Sequence, residues 1–225
     1  YVSNYYFPYS AGADSLIYLK TSYRHRRAFY IKDAKGEHRL KTRDIAIDEQ
    51  FSYRNGKIVY SAYESDARWG WKDYSVIKLL DVQTGKQQTL THKTKYFTPD
   101  ISEDGSLVAA VQFDENGKSE LHILNTNGGT VLNKIHSPEI NLFTDPKFLD
   151  DKTIISAVRL KDGRMYLAKS ILPTGETSQL TSPSFNVIGY PCISNGIVYY
   201  TASYADDDDV FALRMSNGKI YKISD

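Results

Sequence analysis

The sequence predicts an all-β fold, a β-propeller of four-stranded antiparallel blades, with about five blades in its 225 residues. Three observations carry that prediction: a repeat of roughly 45 residues, four strand-like runs within each repeat, and the lack of a helical apolar period. The repeat is marked by Gly36, Gly85, Gly129, Gly175 and Gly218, which are 49, 44, 46 and 43 residues apart.

Each of these glycines opens a short polar–apolar segment: AKGEHRL, QTGKQQTL, NGGTVLNKI, PTGETSQL and SNGKIYKI. Upstream lies a long β-rich run, SLIYLKTS, KIVYSAY, SLVAAVQF, TIISAVRL or IVYYTASY, and between the two sits a shorter strand such as AFYIKD or ELHILN. The long runs are preceded by FPYSAGADS, FSYRNGK, TPDISEDGS, DPKFLDDK and YPCISNGI, whose Gly, Asn and Asp residues are turn formers. No stretch keeps an i, i+3, i+4, i+7 apolar pattern for three turns, and a β-sandwich would not repeat one four-strand grammar five times. The units run over residues 1–46, 47–92, 93–138, 139–183 and 184–225, within a single propeller domain or segment spanning 1–225. KIVYSAY and IVYYTASY alternate weakly, as strands covered on both sides do, so each sheet is expected to bury both faces against its neighbours.

Composition narrows the function classes. With 41% hydrophobic and 24% charged residues the chain is of ordinary globular type. A net charge of +1 and the lack of a basic stripe argue against nucleic acid. No run approaches the roughly 20 apolar residues of a membrane-spanning helix. Eighteen tyrosines against two methionines lean towards strands and exposed binding surfaces. Cys192 is the one cysteine, which excludes an intramolecular disulfide or a multi-cysteine metal cluster; beside apolar residues in GYPCIS it is expected to be a small core residue. The chain starts at Tyr1 rather than Met and is expected to be a segment of a longer polypeptide, in which a signal peptide is not observable.

The third unit, FTPDISEDGSLVAAVQFDENGKSELHILNTNGGTVLNKI, is the most typical. With Pro99, the Ser102–Gly105 turn, the apolar strand from Leu107 and ELHILN, it resembles the WD-like repeats of TolB-type propellers. It is also similar to repeats in the propeller domains of the prolyl oligopeptidase and dipeptidyl peptidase IV group. The resemblance covers essentially the whole chain but is a signature of fold, without chemistry of its own. Other units depart from it, with RNGK in unit two and LDDK in unit four where unit three has SEDGS. It implies six blades in the usual TolB-type ring against the five counted, so the expectation is either a five-bladed ring or a sixth blade outside these residues. It also implies a periplasmic, extracellular or cell-envelope setting in bacteria, and loops joining second to third strands on the same face as the inter-blade loops.

Catalytic patterns are missing. His25, His38, His92, His122 and His136 form no HExxH and no pair spaced for one metal, and there is no GxSxG elbow or glycine-rich phosphate loop. No acidic turn meets the EF-hand pattern. The expectation is a non-enzymatic segment without cofactor or resident metal.

Binding is expected where loops on the shared face are unequal. The longest, YESDARWGWKDYS in unit two, holds both tryptophans. Trp69 and Trp71 with Arg68, Tyr63 and Tyr74 are predicted to form an aromatic platform for a protein or glycan, against the alternative that a tryptophan plugs the space between blades. Unit one offers Arg24, Arg26 and Arg27 in SYRHRRAF, also readable as a solvated loop. Unit five offers SYADDDDVF, where the resemblance gives Asp209 a turn role and leaves Asp206, Asp207 and Asp208 in excess. Those three read first as a solvated turn, then as an acidic patch facing Arg24, Arg26 and Arg27 across the ring seam, and last as a calcium site. The favoured function is a non-catalytic binding or scaffold module of a bacterial envelope protein. The alternatives are a substrate-gating propeller of a peptidase or other hydrolase, and a lectin or sugar-processing activity at the channel mouth.

Overall fold

The computed structural model describes residues 2–205 and 207–224. It contains five four-stranded antiparallel sheets, each in simple sequential order. Blade one comprises β1 (Ser3–Gly12), β2 (Ser15–Ser22), β3 (His25–Asp33) and β4 (Gly36–Thr42). Blade two comprises β5 (Ser52–Arg54), β6 (Lys57–Ser65), β7 (Asp73–Asp81) and β8 (Gln87–Thr89), and blade three β9 (Tyr96–Ile101), β10 (Leu107–Phe113), β11 (Ser119–Asn125) and β12 (Val131–Ile135). Blade four holds β13 (Ile140–Asp150), β14 (Thr153–Leu160), β15 (Met165–Ile171) and β16 (Thr177–Gln179); blade five holds β17 (Ile188–Ser194), β18 (Ile197–Ala202), β19 (Asp209–Arg214) and β20 (Ile220–Lys222). Among the described residues no helix is long and apolar enough to cross a membrane.

The turns follow the local chemistry. Asn55-Gly56 and Asn195-Gly196 take positive φ at both residues (45° and 71°, 50° and 70°), which Asn and Gly tolerate and which matches the twist of a tight hairpin. In blade three the Asp104 carboxylate gathers Ser102 Oγ, Ser106 Oγ and the Ser106 amide, closing the turn before β10.

Stability resides between blades. Separate buried apolar clusters join blade one to two (Leu19, Phe29, Phe51, Tyr60), two to three (Val59, Ile77, Ile101, Val108), three to four (Leu121, Ile123, Phe143, Ile154) and four to five (Ile155, Leu167, Val198, Tyr200). No cluster of described residues joins blade five to blade one. The outward sides of these two blades remain accessible: Leu16 and Tyr5 are 45% and 57% exposed, Val210 and Tyr221 38% and 45%. The expectation that every sheet buries both faces therefore holds for the middle blades and fails at the two ends, because a face is covered only where a neighbouring sheet lies against it. The strands record the difference: β6 is buried continuously from Ile58 to Ala62, whereas β18 alternates buried and half-buried residues.

The inner strands share a second device. Phe7, Thr98, Asp145 and Tyr190 have φ of 51°, 46°, 47° and 52°, and each precedes a proline, Pro8, Pro99, Pro146 or Pro191. The ladder register shifts at these four places, so each pair forms a bulge in which the missing proline amide costs no ladder bond. A left-handed non-glycine costs on the order of 1–3 kcal/mol, so the surrounding packing must impose it.

Candidate functional site

Because strands alternate in direction, loops joining second to third strands and those joining successive blades emerge on one face, the top; the remaining turns form the bottom. The two faces differ in chemistry. Exposed large apolar side chains in the top loops include Tyr23, Ile45, Ile47, Trp69, Trp71, Phe185, Val187 and Tyr204, while the described bottom turns carry none. The inter-blade loops and the β6–β7 hairpin are long enough to hold such side chains outward, and Tyr23 stands at the tip of the two-residue β2–β3 hairpin, whereas the bottom turns are built largely of Asn, Asp, Gly and other polar residues.

The hairpin between β6 and β7 is the most developed top loop. Asp66 accepts the amides of Arg68 and Trp69 and the Tyr74 hydroxyl, and these bonds hold its carboxyl below the usual range. Lys72 lies over the Tyr74 ring at 5.5 Å. This braced turn projects Trp69, 68% exposed, and Trp71, fully exposed, so neither plugs the space between blades. Tyr63 is also exposed, and its amide bonds the Ile45 carbonyl of the adjoining inter-blade loop at 2.8 Å. The structure thus puts Tyr63, Arg68, Trp69, Trp71 and Tyr74 on one hairpin.

The other loop residues lie in blades one and five. Arg24 and Arg26 are exposed, and Arg27 is engaged by Glu49 at 2.6 Å and by the Tyr6 ring. Asp207 and Asp208 are exposed and form no ion pair with a described residue, while Asp206 lies outside the described residues. Asp209 starts β19, is buried, and takes Ser224 Oγ at 2.7 Å and Lys222 Nζ at 2.9 Å, so its bonds tie β19 to the chain at and beyond β20 and not to the hairpin turn before it. Among the described residues no group of three or more His, Cys, Asp or Glu could hold a metal ion.

A central cavity of about 910 Å³ runs between the inner strands, at the channel that the sequence implies without assigning residues to it. All four left-handed residues line it, as do Asp48, Glu49, Asp100 and Lys147. The signal was present in the recurring X-Pro pairs of FPYS, TPDIS, DPKFL and YPCIS, though which residues face the axis depends on the bulges. Cys192 lines the same cavity and is exposed, which corrects the core placement: β17 is an innermost strand, and Cys192 pairs with Tyr199 on the uncovered side of blade five.

Within the cavity Lys147 Nζ meets Asp100 Oδ1 at 3.4 Å, and Asp100 Oδ2 accepts the Phe148 amide at 2.9 Å. Burial disfavours the charged lysine, but Asp100, Tyr9 and Asp145 outweigh that and hold its pKa above the usual value. Burial raises the Tyr9 hydroxyl, which donates to the Phe51 carbonyl at 2.8 Å and ties blade one to blade two. Blade two lacks the X-Pro bulge. There the buried Arg43 guanidinium binds the carbonyls of Asp48 and Gln50, and Asp48 accepts the amides of Gln50 and Thr98, both at 2.8 Å.

Five four-stranded sheets packed face to face around a lined axial cavity define a β-propeller. Among solved structures, TolB from Acinetobacter baumannii has the same fold at a TM-score of 0.72 and 15% identity, over 95% of this chain and 52% of that one. The β-propeller domain of the trilobed protease from Pyrococcus furiosus, described as having an open velcro topology, aligns at a TM-score of 0.61 and 14% identity, over 99% and 85% of the two chains. A prolyl endopeptidase aligns at a TM-score of 0.61 and 13% identity, over all of this chain and 37% of the enzyme. This chain therefore spans about half of the TolB chain, and at such identities the likeness is one of fold. The sequence matches no protein-family description and no curated protein.

Proposed function

We propose that this propeller is a non-catalytic binding module of a bacterial cell-envelope protein, acting in the periplasm or at the cell surface, and that the top face of blades one and two is its contact surface for a protein partner. The observation that carries the reading is the segregation of exposed apolar loop residues to the top, with both tryptophans on one braced hairpin. Solvated Trp and Tyr side chains cost little to order and contribute large contact areas, and Arg68 and Lys72 supply a polar rim. The TolB-like fold supports the setting.

Affinity capture from an envelope extract, comparing the native protein with a Trp69→Ala/Trp71→Ala variant, tests the reading. A partner held by the first and lost by the second is the expected result. Binding on a glycan array that depends on the same tryptophans would replace the protein partner by a sugar, and no ligand in either assay would sink the proposal. The fold shared with peptidase propellers supports a second reading, a domain that gates substrate for a hydrolase in the same polypeptide. That reading requires a catalytic serine and its histidine outside residues 1–225.

A further inference from the structure

The central cavity holds a buried carboxylate that has no ion pair with a described residue. Asp145 is 9% exposed and lines the cavity from blade four. It takes a backbone hydrogen bond from Tyr190 and forms no ion pair with a described residue. Other charges there are matched: Lys147 with Asp100 at 3.4 Å, Arg54 with Glu103 at 2.9 Å, and Glu49 with Arg27 at 2.6 Å. Asp48 accepts one amide at each oxygen and lies within the field of Arg43. Burial accordingly pushes the Asp145 carboxyl above its usual range, with Lys147 and the Tyr190 amide opposing and Asp48 adding to the rise.

We propose that the cavity is a binding site for an organic cation, a primary ammonium or guanidinium group on an apolar stem, with Asp145 as counter-ion. The sign follows from Asp145, the lining carboxylate that forms no ion pair with a described residue. An anion would meet that charge, whereas a cation relieves the cost of a buried carboxylate without an ion pair. A metal ion is a poor fit, because hard cations need about six oxygen ligands and one uncommitted carboxylate does not supply them. The stem has a matching wall in Phe7, Tyr190, Pro8 and Pro191, and aromatic faces add to the attraction for a cation. A volume of about 910 Å³ is ample for a small molecule or one basic side chain of a peptide. The site is separate from the Trp69–Trp71 hairpin, so it stands or falls independently of the top-face proposal.

Calorimetric titration of the whole chain with phenethylamine, 2-phenylethanol and phenylacetate tests the assignment. The amine is expected to bind at least tenfold more tightly than the alcohol, and phenylacetate not to bind. Asp145→Asn should remove the preference for the amine, and Trp69→Ala/Trp71→Ala should leave it unchanged. Equal affinity for amine and alcohol would overturn the proposal, as would a folded Asp145→Asn protein that binds like the native one. Should Asp145→Asn not fold, amide chemical shifts of the native protein decide: changes at the inner strands on adding phenethylamine support the site, and changes confined to the top loops, or none, refute it.

Discussion

Blade three and blade five follow one plan and differ in what lies on either side of them. In blade three, Val108, Ala109, Ala110 and Val111 are all buried, because β10 meets blade two on one face and blade four on the other. The small alanines let both neighbours approach. In blade five, β18 buries Val198, Tyr200 and Ala202 against blade four, while Ile197, Tyr199 and Thr201 on the opposite side stay half-exposed. Blade one mirrors this: on its uncovered side Lys20 lies between the Tyr5 and Tyr30 rings at 5.3 and 5.2 Å, and the Tyr18 hydroxyl bonds Glu37 at 2.6 Å. A face without a partner sheet is built from side chains that are apolar in body and polar at the tip, which accounts for part of the tyrosine excess.

The largest test of this contrast is electrostatic. Asp100→Ala removes the ion-pair partner of Lys147 between blades three and four, leaving the more distant Asp145 as its opposing charge, and should cost about 3 kcal/mol in denaturant unfolding. Removing the Lys222 partner of Asp209 in blade five should cost far less, and that small loss should shrink further in salt. Next in size is packing. Leu121→Ala, at the three–four interface, is expected to lose about 2–5 kcal/mol, whereas Val210→Ala on the open side of blade five should lose less than about 1 kcal/mol. Equal losses would mean that the outward face of blade five is covered in solution.

Two glycines of nearly identical backbone geometry sharpen the comparison. Gly129 and Gly175 have φ of 71° and 70°, but a Cβ on Gly129 would sit 1.9 Å from the Leu90 carbonyl oxygen of the neighbouring blade, while one on Gly175 meets nothing within 4 Å. Gly175→Ala should cost about 1 kcal/mol for the left-handed conformation alone, and Gly129→Ala clearly more, as thermal unfolding of the pair would read. The smallest effect is in acid. Hydrogen bonds from Ser102 and Ser106 lower the Asp104 carboxyl to about 2. Its contribution is present above the unfolded value near 3.8 and is lost as pH falls through about 2. Amide exchange in the Ser102–Leu107 turn should therefore speed up between those limits and become flat in Asp104→Asn. The Asn195-Gly196 turn of blade five, which has no such carboxylate, should show no corresponding change.

The strands, their turns and the number of blades were legible because they depend on neighbours only a few residues away. A β-rich run of six to nine residues bounded by Asn-Gly or Asp-Gly is a hairpin strand wherever it occurs, and repeating that grammar yields the sheets observed. The exposed tryptophans were legible for a related reason: a loop much longer than its counterparts has nowhere to go but outward. Cys192 was misread because GYPCIS has the composition of a core strand, whereas its side faces the axis. Asp145, Thr98 and the Lys147–Asp100 pair were missed because each draws its meaning from another blade; Lys147 and Asp100 are 47 residues apart.

By itself the sequence determined a propeller of four-stranded blades and the positions of its irregular loops, since strand period and turn chemistry act over a handful of residues. Only the tertiary structure decided which sheet faces are covered, which inner-strand residues reach the axis and which buried charges find partners. Those outcomes depend on contacts between segments a blade or more apart, where the local pattern is the same whether or not a neighbour is present.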